Sequence, residues 1–379
     1  MSAVLPSAVS IRRPAGNGTV VQTLQAEELH ALVPQWEKLV EEAIEPNPFY
    51  EPWVLLPSLH AYPHQDLRTV VVWQDGRLAG LFPFQAGRSF RGLPVPSFRS
   101  WRHPDMLICT PLVHAKYVDR CLAGLLKSGI APLIEFDWIY AGGAFYGALA
   151  EAADECGLPW MVTDLYLRAT LERGRDPRTR FNSNMKNNLR RWQTRLAAAG
   201  ELTPVRLAPG DDIARWTEEF LRLEASGWKG EGGTALACRE ERRRFATELF
   251  AEAFRRGRLL ITGLDLAGKP LTRHVVLVGG EAGFTYKIAY DEAYASHSPG
   301  IVGEVDNVGQ FLDNPGPRWV DSNTARTNTS YGRVWKDRRA VQRVAVGLRR
   351  SGRICLAALP FARLAKRALS RPAQNQAGE

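Results

Sequence analysis

The pattern of apolar and polar positions divides the chain into amphipathic helices and alternating strands. Helices with an apolar residue at every third or fourth position are predicted over residues 26–43, 51–60, 117–128, 145–156 and 240–256. Strands rich in β-branched and aromatic residues are predicted over residues 69–73, 78–84, 133–139, 160–171, 259–266 and 270–278. Since helices and strands alternate in both halves, the predicted fold class is α/β (or α+β), with mixed sheets flanked by helices.

The order of these elements indicates two similar halves. Each half contains a helix, a hairpin, a helix, a strand and a helix in the same sequence, and 379 residues exceed what one core usually serves. We therefore predict a disordered lead-in at 1–18, a first lobe at 19–172, a basic linker helix at 173–201, a second lobe at 202–347 and a basic tail at 348–379.

One stretch of the second lobe, Phe284 to Gly303, suggests a ligand site. Aromatic and β-branched residues alternate from Phe284 to Tyr290, which predicts a strand, and helical spacing begins after Ser298-Pro299-Gly300. A glycine at the start of a helix lets the backbone approach a ligand, and the free N–H groups there favour anionic oxygens. The alternative is ordinary helix capping by a serine followed by proline.

The composition narrows the functional classes. With 45% hydrophobic and 23% charged residues, the chain has the make-up of a soluble globular protein, and we expect it in the cytoplasm. The five cysteines and seven histidines show no metal-ligand spacing, so no structural metal is expected. The net charge of +9 is concentrated in clusters over 173–195 and 333–371, which could attract phosphates, nucleic acid or anionic lipid, or could be solvated helix faces.

Four short motifs together resemble a known family. They are LEASGWKG at 223–230, YKIAYDE at 286–292, SPG at 298–300 and DS at 321–322. In this combination they resemble the bacterial GNAT acyltransferases of cellulose and exopolysaccharide biosynthesis. Residues 181–195 and the WKDRR run at 335–339 resemble that group's basic linker and closing motif. The group has two GNAT-like lobes and is related to the Fem-type transferases.

The resemblance implies a place for an acyl donor. In GNAT folds a strand splays from its parallel neighbour, and the gap holds the pantetheine of an acyl-coenzyme A. Here the strand would be 284–290, its neighbour 318–321, and the pyrophosphate loop 296–302. The implied cofactor-binding residues are Ile288, Ala289, Ser298, Gly300, Ile301 and Val302. The usual loop has an Arg or Gln followed by spaced glycines, and the Ser-Pro-Gly of this chain departs from it.

Four residues are candidates for the chemistry of transfer. Asp321 ends a strand beside the proposed gap and is the first candidate for the base, with turn capping as the alternative. Lys287 lies among aromatic residues and could bind a phosphate or a carboxylate, unless it is a surface lysine. Asp291 and Glu224 are further candidates, although strand-end capping and an ordinary helix surface explain them better. A backbone N–H at 287–289 would bind the oxyanion.

The acceptor side is less sharply defined by the sequence. Candidate substrate-binding residues are Trp228, Lys229, Tyr290 and Ser322, and Trp228 could equally be a core anchor. The expected reaction is transfer of acetyl from acetyl-CoA to an amino group on a sugar or polysaccharide precursor. Two alternatives stay open: a Fem-type transferase that uses aminoacyl-tRNA, and a non-catalytic scaffold whose basic tail contacts a membrane peripherally.

Overall fold

The computed structural model describes residues 18–369, and the side chains of residues 228, 229 and 362–369 lie outside the description. Apart from Gly18, the predicted lead-in therefore falls outside the described residues, as do residues 370–379 of the predicted tail. Within the described part of the chain, no helix is long and apolar enough to cross a bilayer.

The described residues form thirteen strands and ten α-helices. The strands are β1 Thr19–Leu24, β2 Leu67–Gln74, β3 Arg77–Gly87, β4 Ser97–Ser100, β5 Leu112–Val113, β6 Leu133–Tyr140, β7 Trp160–Glu172, β8 Leu202–Arg206, β9 Leu259–Leu266, β10 Lys269–Gly279, β11 Ala282–Tyr290, β12 Trp319–Asp321 and β13 Asp337–Gly347. The helices are α1 Val33–Glu41, α2 Pro52–Ala61, α3 Val118–Ser128, α4 Ala144–Glu155, α5 Ser183–Ala197, α6 Ile213–Ala225, α7 Trp228–Glu231, α8 Glu240–Arg255, α9 Pro299–Asp313 and α10 Arg350–Leu369.

Local sequence chemistry explains the elements that were predicted correctly. The hairpin of β2 and β3 turns through Asp75 and Gly76, both in the left-handed region that a tight two-residue turn requires. Helix α6 begins at Asp212, whose carboxylate accepts hydrogen bonds from the N–H groups of Ala214 and Arg215. These signals lie within a few residues of the elements they determine, so the sequence alone reveals them.

All thirteen strands join one continuous mixed sheet. Its order is β1-β2-β3-β4-β6-β13-β7-β12-β11-β10-β9-β8, with β5 beside β3. Most neighbours are antiparallel, and the parallel pairs are β4 with β6 and β11 with β12. Strand β13, the last strand of the predicted second lobe in sequence, lies between β6 and β7 of the first lobe and is antiparallel to both.

The two faces of this sheet are covered differently. Helices α1, α2, α6 and α8 share one hydrophobic core that extends across both lobes, so we call this side the joint face. On the other side, the divided face, α3 and α4 cover the first lobe, while α5 and α9 cover the second. The joint core fixes the two lobes relative to each other, because burying apolar surface is the main favourable contribution to folding.

Several elements had no clear signal in the sequence. Strand β4 has only four residues and lies inside a segment that was predicted to be loop. Strand β8 contains a proline and is largely exposed at the sheet edge. Helix α10 contains Pro360 and seven arginines or lysines in and around it, which obscures its apolar side. That side packs Cys355, Leu356 and Leu359 against the sheet.

Candidate active site

The two parallel strands of the second lobe separate after a short ladder. Strand β11 pairs with β12 from Ala282 to Phe284, and β12 ends at Asp321, opposite Phe284. Strand β11 continues to Tyr290, held on its other edge by β10. The chain leaves β12 through Asn323, whose φ of 46° lies in the left-handed region. The predicted strand pair and the predicted gap are therefore both present.

A cavity of about 250 Å³ opens on the divided face beside the part of β11 that extends past the ladder with β12. Strand β11 contributes Ile288 and Tyr290, and the start of α9 contributes the run 298–301. The remaining wall consists of Ala295, Glu304, Ser330, Tyr331, Arg333 and Val334. Four of the six predicted cofactor-binding positions, Ile288, Ser298, Gly300 and Ile301, thus line one cavity together.

The start of α9 is built to stay close to β11. Ser298 takes a left-handed conformation with φ and ψ both 50°, and its carbonyl accepts the N–H groups of Ile301 and Val302. A Cβ added to Gly300 would lie 3.2 Å from the ring of Tyr290, so only glycine allows this approach without displacing a neighbour. The first-turn N–H groups and the helix dipole then favour an anion at this end.

Positive charge borders the cavity. Arg333 lines it and is exposed, and Lys336 comes one turn later, with its ammonium 5.6 Å from the ring centre of Phe181. Burial, together with the cations of Arg338 and Arg180, lowers the pKa of Lys336. Such a rim suits a ligand with several phosphate groups.

On the joint face of β11, Lys287 forms two buried ion pairs. Its ammonium lies 2.8 Å from Asp105 Oδ1 and 3.0 Å from Glu224 Oε1. Burial alone would lower the pKa of Lys287, but these two carboxylates outweigh it and raise the pKa, so the lysine stays charged. Two predicted residues, Lys287 and Glu224, are therefore brought together, and neither is a surface side chain.

Asp105 comes from the first lobe and was not predicted. It lies in the loop after β4, which crosses the joint face to reach β11. The hydroxyl of Tyr62 donates to Asp105 Oδ2, and the Tyr62 ring stacks on His103 with 4.1 Å between ring centres. Burial lowers the pKa of His103 to about 4, so its imidazole is neutral at neutral pH. No local pattern could have revealed Asp105, since it lies in the other lobe, far from Lys287 along the chain.

Asp321 does not reach the cavity. It is fully buried, accepts hydrogen bonds from the Tyr140 hydroxyl at 2.7 Å and the Asn323 N–H at 2.6 Å, and lies 3.5 Å from the guanidinium of Arg168. A carboxylate with these partners connects the lobes and is poorly placed to take a proton from a substrate. Ser322 is buried as well, and its hydroxyl lies 3.0 Å from that of Thr324. The contact with the Asn323 N–H agrees with turn capping, the alternative given for Asp321, and Ser322 is buried beside it.

The remaining predicted residues divide between the cavity and the interior. Tyr290 lines the cavity, whereas Val302 packs from α9 against Leu264 and Leu271 of the sheet. Ala289 packs in the joint core. Asp291 caps the following turn by accepting the N–H of Ala293. Trp228 and Lys229 belong to α7, and their side chains lie outside the described residues. Val302 and Ala289 are thus corrected from ligand contacts to core positions, because each faces away from the cavity.

Glu304 is a cavity residue that the sequence did not suggest. Its Oε1 accepts the indole N–H of Trp335 at 2.6 Å and the amide of Asn307 at 3.1 Å, and its Oε2 lies 2.9 Å from His274 Nδ1. Trp335 belongs to the WKDRR run, so this carboxylate anchors the closing motif against α9. In the sequence, Glu304 is one polar residue within the helical pattern that follows Pro299. Nothing in that pattern indicates that its side chain is buried or that it binds Trp335.

Comparison with known proteins supports the fold of both lobes. Residues 183–308 match the family described as an acetyltransferase (GNAT) domain, a third of the chain that includes α5, β11 and the start of α9. No curated protein matches the sequence. The crystal structure of FemX is similar with a TM-score of 0.52 at 10% identity, over 88% of this chain and 98% of that one.

A second solved structure gives the same result. A conserved protein of unknown function from Bacteroides thetaiotaomicron has a TM-score of 0.50 at 10% identity, over 84% of this chain and 97% of its own. Identities this low show the fold alone. The predicted α/β fold class, with a mixed sheet flanked by helices, is confirmed, but the sheets predicted for the two lobes form one continuous sheet.

Proposed function

We propose that this chain is an acyltransferase that moves acetyl from acetyl-CoA to an amino group on a sugar or polysaccharide precursor. The observation that supports it most is the cavity beside the part of β11 that extends past β12, which is closed by the start of α9 and by residues 330–334 with Arg333. The pantetheine would lie between the parted strands and the phosphates at α9 and Arg333. The polysaccharide connection rests on the sequence motifs.

The reaction needs few groups from the protein. The acceptor nitrogen attacks the thioester carbon, a C–N bond forms, and the C–S bond breaks to release the thiolate. A backbone N–H of residues 287–289 would stabilise the oxyanion, and the buried Lys287 ammonium would add positive charge nearby. After attack the nitrogen is positively charged and strongly acidic, so solvent suffices to take its proton and return it to the departing thiolate.

A second donor, aminoacyl-tRNA, is favoured by one observation. Helix α5 carries Lys186, Arg190 and Arg191 and packs beside α9, next to the cavity. A nucleic acid with its acyl group in the cavity could place phosphates along this helix. The fold similarity to FemX does not decide between the two donors.

The test is calorimetric titration of the purified chain with acetyl-CoA. Gly300→Trp should abolish binding, because the new side chain meets Tyr290 and blocks the start of α9. Gly147→Trp is the matched control: Gly147 is exposed on α4, and no atom lies within 4 Å of its added Cβ, so binding should persist. If the unaltered chain does not bind acetyl-CoA, this donor is wrong, and aminoacyl-tRNA is titrated at several salt concentrations.

A further inference from the structure

A cluster of arginines in the first lobe surrounds two buried carboxylates away from the donor cavity. The carboxylates, on β6, are 1% exposed or less. The guanidiniums come from the loop after β3, from β4 and the loop after it, and from β13. The cluster consists of Glu135, Asp137, Arg91, Arg99, Arg102 and Arg343. Four cations against two anions leave two positive charges uncompensated.

Glu135 is fully engaged within this arginine cluster. Its Oε1 accepts hydrogen bonds from Arg91 at 2.7 Å and from the Thr163 hydroxyl at 2.6 Å, and its Oε2 accepts from Arg99 at 3.2 Å. These short contacts fix the positions of Arg91 and Arg99, and neutralise about one of their two charges.

Asp137 is held more loosely. Arg99, Arg102 and Arg343 approach its oxygens at 3.4, 3.4 and 3.3 Å, longer than the roughly 2.7–2.9 Å of strong charge-assisted hydrogen bonds. Among the described residues, Oδ1 of Asp137 and Nε of Arg343 have no hydrogen-bond partner of good geometry. Three guanidiniums thus gather at one carboxylate through long contacts, and the Nε–H of Arg343 has no acceptor of good geometry among the described residues.

The cluster is open enough to admit a ligand. A cavity of about 190 Å³ adjoins the Glu135 end of the cluster, where Arg91, Arg99 and Glu135 line it together with Phe90, serine and glutamine side chains, and Arg99 connects it to Asp137. The side chains of Arg99 and Arg102 are 45% and 33% exposed. Arg343 is held flat, with its guanidinium carbon 4.1 Å from the ring centre of Trp138. Fixed guanidinium planes with free N–H groups match the oxygens of phosphate and carboxylate.

We propose that the arginine cluster binds a phosphoryl or carboxylate group of the acceptor. Arg102 directly precedes His103 in the loop that carries Asp105 to Lys287, so the anion would lie near this loop on the joint face, from which the acceptor would approach β11 opposite the donor cavity. Binding of the anion itself needs no acyl transfer, whereas its assignment to the acceptor rests on the proposed function. The first lobe would then select acceptors by a negative charge.

The experiment titrates the chain with inorganic pyrophosphate and, separately, with citrate. Replacing both half-exposed arginines, Arg99→Gln with Arg102→Gln, should weaken binding of the preferred anion at least about tenfold, as expected for lost charge-assisted contacts. Arg244→Gln removes an exposed arginine on α8 and should change nothing. Tighter pyrophosphate binding would indicate a phosphoryl ligand, and tighter citrate binding a carboxylate.

Two further variants separate this site from the donor cavity. Arg333→Gln should not change the anion binding that is lost in the Gln double variant. Conversely, the Gln double variant should still bind acetyl-CoA. Arg99→Lys with Arg102→Lys keeps the charge but loses the planar fork, so partial retention of binding is expected if folding is intact. Unchanged affinity in the Gln double variant, or equal loss in Arg244→Gln, would overturn the proposal.

Discussion

The two lobes contain the same pair of parting parallel strands, but only one gap is open. In the first lobe β4 pairs with β6 from Ser97 to Arg99 and then ends, while β6 continues to Tyr140. In the second lobe β11 and β12 part in the same way and leave the cavity at α9. Equivalent topology therefore does not give equivalent capacity to bind a donor.

The difference lies in the loop after the shorter strand. In the first lobe the loop after β4 fills the interior, where Met106, Ile108 and Cys109 are fully buried and Tyr50 donates its hydroxyl to the Trp101 carbonyl. Burial raises the pKa of Cys109 to about 12, so its thiol is not ionised at neutral pH. The first lobe has instead turned this loop outward at Asp105, toward the second lobe's gap.

The largest expected effect comes from breaking the contact between that loop and β11. Lys287→Met removes the buried cation that pairs with Asp105 and Glu224, which should cost about 3–5 kcal/mol of unfolding free energy. Acyl transfer should also be lost. Urea unfolding measures the first effect, with Arg318→Met as control, because its pair with Glu281 is exposed and should contribute less than about 1 kcal/mol. Equal effects in both variants would contradict a buried role for Lys287.

A somewhat smaller effect is expected at Asp321, which connects the two lobes through Tyr140 and Arg168. Asp321→Asn keeps an acceptor for Tyr140 but removes the charge beside Arg168, so unfolding free energy should fall by about 2–4 kcal/mol. Acetyl-CoA affinity, measured by calorimetry below the unfolding temperature, should stay unchanged. If stability is unaffected while transfer to the acceptor disappears, Asp321 is the base after all.

The smallest expected effect concerns the pH dependence of stability at His103, in the loop that fills the interior of the first lobe. The pKa of His103 is near 4 in the folded chain because of burial, and an unfolded histidine titrates near 6.5. Between these two pKa values the unfolded state binds more protons than the folded state, so the folded state loses stability as the pH falls. The contribution of neutral His103 is complete above about pH 6.5 and is lost toward pH 4. It amounts to at most about 3 kcal/mol of unfolding free energy. His103→Phe keeps the stacking on Tyr62 and should show a shallower loss in acid unfolding curves. Identical slopes would show that His103 does not contribute.

The sequence predicted the features that local chemistry determines. The Ser298-Pro299-Gly300 run indicated a helix start beside a strand, and that helix and strand do form one wall of the cavity. Asp105, the partner of Lys287, could not be predicted, because an ion pair between two lobes leaves no periodic pattern in the sequence. Asp321 was ranked first for its position at a strand end, yet burial and partners, which decide whether a carboxylate is available, depend on the tertiary structure.

The same limit applies to the order of strands. Nothing in the sequence of β13 shows that it pairs with β6 and β7, because both partners lie far away along the chain. Strand β8 and strand β4 were missed because short, polar or proline-containing segments become strands only through their neighbours.

The position of β13 has a consequence for how this protein is made. The strands it separates, β6 and β7, are synthesised by residue 172, but β13 is complete only at residue 347. At about 5–20 residues per second, the first lobe waits roughly 10–35 s for its missing strand. During that interval two strand edges are without their final neighbour, which makes the nascent first lobe a natural client for chaperones.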